Sequence, residues 1–445
     1  MSAVFAVRAA SSAAGAALAR RIAGRLAGVL DSRLERAAAR RVERVRRGGD
    51  VALVDCVREL DGVEIAGPEE LRLDPRVDGG GRLAAEEEAA LEGAIARVET
   101  WHRARAARDA GGVLESGGLR VVEQVRPLRR VGVYVPGGLA SYPSTAIMTI
   151  VPALVAGVEE IVVATPPRGW RERLALRRVL ARLGVTEILG AGGAHGIAAL
   201  AYGTESLRRV DLIVGPGNAW VTAAKRRVAG AVAIDGLMGP SEVVIVASAG
   251  ADPERLAADL LAQAEHDERA SALLITTSRR LARATAESVE RRLAELASAP
   301  VARVSLARYG GALLAGSLDE AIALVERLAP EHLQLVGAEV ESMAERFTCA
   351  GAVFVGPDVP EVLGDYVAGP SHVLPTCGSA RFASGLSIES FRRRFHRIEA
   401  IGDGEGDGDR GGIAALAAMS ATLARLEGLP AHAASASLRT AGAER

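Results

Sequence analysis

Lysine is nearly missing from this chain of 445 residues: Lys225 is the only one, and arginine carries almost all the positive charge. That imbalance, like the excess of alanine, reflects genomic composition rather than a basic binding surface. With a formal net charge of -1, the chain lacks the summed field that a nucleic-acid partner requires. Cysteine is scarce too. Cys56, Cys349 and Cys377 are odd in number, widely spaced and form no CxxC pair. This excludes a disulfide framework and a thiolate zinc site, and fits a reducing compartment. Cys377 lies in a motif-rich stretch, where a packed free thiol outweighs a nucleophile. No uninterrupted apolar run approaches the length of a bilayer span. Acidic residues are rare early in 1–47, which is rich in Arg, Ala and Ser as transit peptides are. Arg20, Arg21 and Arg25 interrupt the apolar residues of 13–30, however, so an amphipathic N-terminal helix is expected. A soluble, cytoplasmic protein with no membrane partner is the expectation.

What is present is globular: 49% hydrophobic and 24% charged residues, in a chain too long for a single core. Short apolar runs alternate with helical patterns. VGVYV (131–135), IVVA (161–164), 187–189 and 212–214 read as strands, with helices at 144–156, 171–183, from 197 and at 219–228. A second series of strands follows at 242–247, 272–276, 333–336 and 352–355. Strand–helix alternation at this spacing predicts βαβ units, and continuous apolar strands predict parallel sheets covered on both faces. The fold class is therefore α/β: two Rossmann-like parallel-sheet domains, a helical N-terminal arm and a helical C-terminal segment at 413–438. Residues 27–130 read as largely helical and are expected to pack on the second region. The run 403–411 (DGEGDGDRG) reads as an acidic loop.

Several stretches carry chemistry. In 252–267 (DPERLAADLLAQAEHD), Asp252 caps a helix and Pro253 suits its first position. Gln263 and His266, three apart, project from one face; zinc accepts both donor types, and a solvated helix face is the alternative. APEHL (329–333) places Glu331 beside His332 at a strand entry, a base and water-activating pair or a surface pair at a turn. GDYVAGPSHVLPT (364–376) puts Asp365 in a loop with His372 seven residues on. EGLPAH (427–432) holds Glu427 and His432 near the chain end. Glycine turns at 136–138 and 215–218 follow strands and can bring backbone N–H groups to a phosphate, though neither is GxGxxG. MGPSE (238–242) exposes Ser241.

Together with YVPGG (134–138), GGAHGIAALAYGTE (192–205), GPGNAWVTAAKR (215–226) and ARFASGLS (380–387), these motifs resemble the histidinol dehydrogenase family. They stand in the family's order and cover the chain from about residue 40. The resemblance implies oxidation of L-histidinol to L-histidine through L-histidinal with two NAD, the last step of histidine biosynthesis. It implies a zinc ion on Gln263, His266, Asp365 and His432, the last lent by the partner of a homodimer with an exchanged C-terminal segment. Glu331 and His332 match the catalytic pair. Ser241, Gln263, His266, His332, Asp365, Glu427 and His432 match the substrate contacts, and Tyr134, His195 and Asn218 the NAD contacts. His195 stands where the family has Gln, Ser371 where Asn is expected and Gln334 where Glu is common. The implied boundaries are an arm at 1–26, a larger domain at 27–130 plus 240–386, an NAD domain at 131–239 and a dimerisation segment at 387–445. One alternative is a homologue acting on a different small alcohol, such as a sulfonated diol, whose anionic head Glu427 would repel. Zinc hydrolase and non-catalytic interaction protein are the others.

Overall fold

The structure, a computed structural model, describes residues 4–26, 30–77, 81–108, 111–137, 142–401 and 412–440. The expected acidic loop at 403–411 and Gly138 lie outside them. The chain divides into two compact units: Met1–Ala104 with Leu128–Phe391, and Arg105–Pro127 with Arg392–Arg445.

The first unit holds both parallel sheets. One runs Glu187–Gly190, Glu160–Thr165, Arg130–Tyr134, Leu212–Val214, Ala233–Ile234. The other runs Val7–Ala9, Gly311–Leu314, Ser271–Thr276, Glu242–Ala247, His332–Val336, Ala352–Val355. Their central strands, VGVY, EVVIVA and SALLIT, are buried at every residue, as strands covered on both faces must be. The strands of the five-stranded sheet lie within 130–234 and those of the six-stranded sheet within 242–355, with Val7–Ala9 added at its edge. The helix Pro253–Ala264 starts where Asp252 accepts from the Glu254 amide and Pro253 opens the first turn. It buries Leu256, Leu260 and Leu261.

Two expectations need correction. The N-terminus is not only a helical arm: Val7–Ala9 adds a parallel edge strand, Val7 opposite Ala312, before the helix Ala13–Ala23. The apolar run VFAV is responsible, with Phe5 fully buried in the core. And the long helix Ser32–Cys56 does not pack on the six-stranded sheet. Its stripe of Ala38, Val42, Val45 and Leu53 enters the cluster formed by Ile197, Ala198, Leu200, Val221 and Ala224, covering helices Gly193–Tyr202 and Ala219–Val228 of the five-stranded sheet. The helix breaks at Gly49, whose φ is +53°; a Cβ there would sit 2.2 Å from the Glu205 carboxylate that caps Asp50 N. Among the described residues no helix is long and apolar enough to cross a membrane.

The second unit also differs from expectation. It is a three-stranded antiparallel sheet, Arg392–Ala400, Leu119–Pro127, Val113–Ser116, with helices Gly412–Leu426 and Pro430–Ser437. Nine-residue pairing between 392–400 and 119–127 draws 105–127 away from the larger domain, and makes the C-terminal segment partly β. The turn between the helices uses Gly428 at φ +71°. Met419, Leu423 and Leu426, spaced along one face of the first helix, are 56%, 60% and 79% exposed.

Leu53→Ala empties a fully buried position at the helix–helix seam. It should lower unfolding free energy by about 2–5 kcal/mol in urea titration; a loss within error of zero would contradict the packing described.

Candidate active site

A cavity of about 650 Å³ lies in the first unit, lined by residues at strand ends of both its parallel sheets. In the five-stranded sheet the strand order turns outward in both directions from Arg130–Tyr134 and Leu212–Val214. Loops leaving such neighbours at their carboxyl ends part company and leave a crevice. Pro136, Gly137, Pro216, Gly217 and Asn218 line it. Asn218 caps the helix Ala219–Val228, its Oδ1 accepting from Trp220 N at 3.0 Å. The six-stranded sheet contributes the opposite ends. Ser241, Glu331 and His332, at the amino ends of Glu242–Ala247 and His332–Val336, line the same space.

Sheet register places His332 opposite Val243, so Glu242 lies beside the pair 331–332. Its amide donates to Glu331 Oε2 at 3.0 Å, and its carbonyl oxygen lies 3.1 Å from His332 Nδ1. A carbonyl only accepts; the Nδ1 therefore carries the hydrogen and Nε2 the lone pair. The same reasoning applies to His266, with Nδ1 2.8 Å from Ala262 O, and to His372, with Nδ1 2.8 Å from Asp365 O. Three imidazoles in one cavity thus keep Nε2 as an acceptor. Burial pushes His332 down to about 4 and lowers His372 as well, so the neutral ring is the resting form. Glu331 is buried. Desolvation, then the Glu242 and Asp365 carboxylates, hold it well above the ordinary carboxylate range.

Gln263, His266 and Asp365 come together here, each lining the cavity. His266 Nε2 lies 4.0 Å from Asp365 Oδ2, and His332 Nε2 3.9 Å from Asp365 Oδ1. These separations exceed hydrogen bonds. Gln263 is 1% exposed, and its Nε2, like His332 Nε2, has no hydrogen-bond partner among the described residues. An amide oxygen, an imidazole nitrogen and a carboxylate are donors that zinc accepts, and the Nδ1 bond to Ala262 orients His266 as metal-binding histidines are oriented. Among the described residues no three His, Cys, Asp or Glu side chains group to hold a metal. His432 and Glu427 belong to the second unit, where both are exposed.

Of the three expected cofactor contacts, only Asn218 lines the cavity. Tyr134 is buried, its hydroxyl accepting from Gly193 N at 3.0 Å. His195 is buried too, with Nε2 2.9 Å from Asp61 Oδ2, which also accepts from Gly192 N. Both brace the turn that opens the helix Gly193–Tyr202. Cys377 is no nucleophile in waiting: burial pushes its thiol up to about 12, and its amide donates to Glu242 Oε1.

Sequence reading missed two acidic residues. Glu361, 1% exposed, sits 3.8 Å from His332 Nδ1, and among the described residues neither of its oxygens is hydrogen-bonded. Burial, then Asp365 and Glu331, hold it well above the ordinary range. Its one signal was helical spacing, four residues before Asp365. Glu242 is paired at 2.6 Å with buried Arg25, a contact between residues 217 apart that no local pattern reveals.

The histidinol dehydrogenase family model matches residues 29–440. A histidinol dehydrogenase from Cereibacter sphaeroides is 46% identical over 354 residues, 79% of this chain and 81% of that protein. One from Moorella thermoacetica is 45% identical over 409 residues, 89% of this chain and 92% of its own. The crystal structure of histidinol dehydrogenase from Elizabethkingia anophelis matches with a TM-score of 0.90 at 29% identity, over 100% of both chains. With a matching family model over most of its length and relatives above 40% identity, the chain belongs to the histidinol dehydrogenase family of oxidoreductases.

Proposed function

We propose that the protein oxidises L-histidinol to L-histidine through L-histidinal, passing two hydrides in turn to two NAD and consuming one water, with zinc as template. The observation that carries this reading is the meeting of strand ends from both sheets at one cavity. A glycine-turn crevice at the carboxyl ends of one sheet faces a Glu–His pair and a set of metal-type donors at the amino ends of the other.

His332 is the proton carrier. With Nδ1 anchored on Glu242 O, its Nε2 takes the alcohol proton as the hydride leaves with its electron pair. Glu331, fixed by the Glu242 amide, draws a proton from water as it adds to the aldehyde carbon. A carboxylate raised in pKa by burial is a stronger base for that step than an ordinary one. His332, having passed its first proton to solvent, then takes a proton from the hydrate as the second hydride departs with its electron pair. The aldehyde stays in the cavity throughout. Ser241 hydrogen-bonds the substrate beside the pair.

Gln263, His266, Asp365 and His432 of the partner subunit would hold zinc, which supplies a fixed point for the substrate imidazole and amine and so orients the reacting carbon. Glu427 of the partner subunit would pair with the substrate ammonium group. The exposed Met419, Leu423 and Leu426 favour a homodimer built on this segment, because an unpartnered apolar stripe on a helix marks an interface. NAD would lie over the loop at 215–218 and the Asn218 cap, with Tyr134 and His195 acting from behind by bracing the neighbouring turn.

Purified protein with L-histidinol, NAD and zinc should form two NADH per alcohol consumed, followed by absorbance; one per alcohol, or none, removes the four-electron reading. His332→Asn should cut kcat by about 10²–10⁴-fold while bound zinc, read by atomic absorption, stays at the wild-type level. His432→Ala should lose zinc; a full metal complement in that variant rules out the ligand role.

A further inference from the structure

In a chain whose every other basic side chain is arginine or histidine, Lys225 stands alone. It is also one of the most buried charges, its side chain 2% exposed and that of its partner Asp235 1%. Lys225 Nζ donates to Asp235 Oδ1 at 2.6 Å and to Gly215 O at 2.6 Å. Asp235 Oδ2 in turn accepts from Gly215 N at 2.7 Å. One buried ion pair therefore grips both backbone groups of a single residue. That residue is the bend from the strand Leu212–Val214 into the cavity-lining turn Pro216–Gly217–Asn218. Gly215 has φ +110°, and a Cβ there would meet Tyr134 O at 2.2 Å. The turn is held at its other end by the Asn218 cap.

We infer that Lys225 and Asp235 are positioning residues for a dinucleotide, fixing the cofactor-facing turn, and that the task requires an ammonium. The reading rests on the NAD-dependent reaction proposed above. A compact ammonium donates to two oxygens from one point, whereas a guanidinium spreads its donors over a planar fork. Neither side chain lines the cavity, so neither touches substrate. If the turn's binding form falls to a tenth of the population, apparent affinity falls about tenfold.

The test uses the full-length, zinc-loaded protein with NAD as the titrant in calorimetry, comparing wild type with Lys225→Arg and with Asp235→Asn. Both variants should bind NAD about tenfold or more weakly, with KM for NAD rising in step. The KM for L-histidinol and the zinc content should stay unchanged. Wild-type NAD affinity in either folded variant overturns the inference and leaves the reaction assignment standing. A wild-type protein that binds no NAD instead removes the reaction assignment. If both variants fail to fold by circular dichroism, the pair serves global stability and the positioning role is refuted.

Discussion

The main-chain N–H and C=O of Glu242, which belong to successive peptide groups, are the constraint on which this site rests. The N–H fixes Glu331 and the C=O fixes His332, from a strand whose register with His332–Val336 is set by parallel pairing along five residue pairs. Because these are main-chain contacts, the orientation of the acid and the imidazole is a property of the sheet, not of rotamer choice. The Glu242 side chain adds a second tie. Its buried bridge to Arg25 ends the N-terminal segment against the core, and removing one partner of such a pair strands a buried charge at a cost of about 3–5 kcal/mol. The N-terminal strand and helix are thereby joined to the site through one ion pair.

Much of the architecture was legible in the sequence because buried parallel strands are written as unbroken apolar runs. EVVIVA (242–247), the 212–214 strand and the 352–355 strand fall where those runs stand. What escaped was pairing at a distance. The strand Leu119–Pro127 carries charged and apolar residues with one half-exposed face, and only its partner Arg392–Ala400 shows where it belongs. The N-terminal VFAV run was too short to separate from a helix start, and the seat of the helix Ser32–Cys56 depends on the face opposite its stripe, which no local signal names.

The site was legible to a similar degree and for a similar reason. Gln263, His266, Glu331, His332, Asp365 and Asn218 each belong to a local motif, and all six line one cavity. Tyr134 and His195 belong to motifs too, yet sit behind the wall as braces. A motif identifies the segment that builds a wall without telling which of its side chains face inward. Glu361 and Asp235 carry no motif of their own, and Lys225, though inside GPGNAWVTAAKR, reads like the arginines that follow it, since charged side chains look like surface decoration until burial is known.

The opposition of the two sheets has a consequence for how this chain tolerates change. Of the sheets, the five-stranded one borders the cavity with its carboxyl ends and the six-stranded one with its amino ends. Connections at the far edges, 248–252, 277–278 and 315–317, contribute nothing to its lining. Side-chain changes at exposed positions there that spare the helix caps Asp252, Ser278 and Ser317 leave the spacing of the cavity-lining groups untouched. The exposed tips of that distal rim are thus ground on which surface side chains can vary without disturbing the cavity.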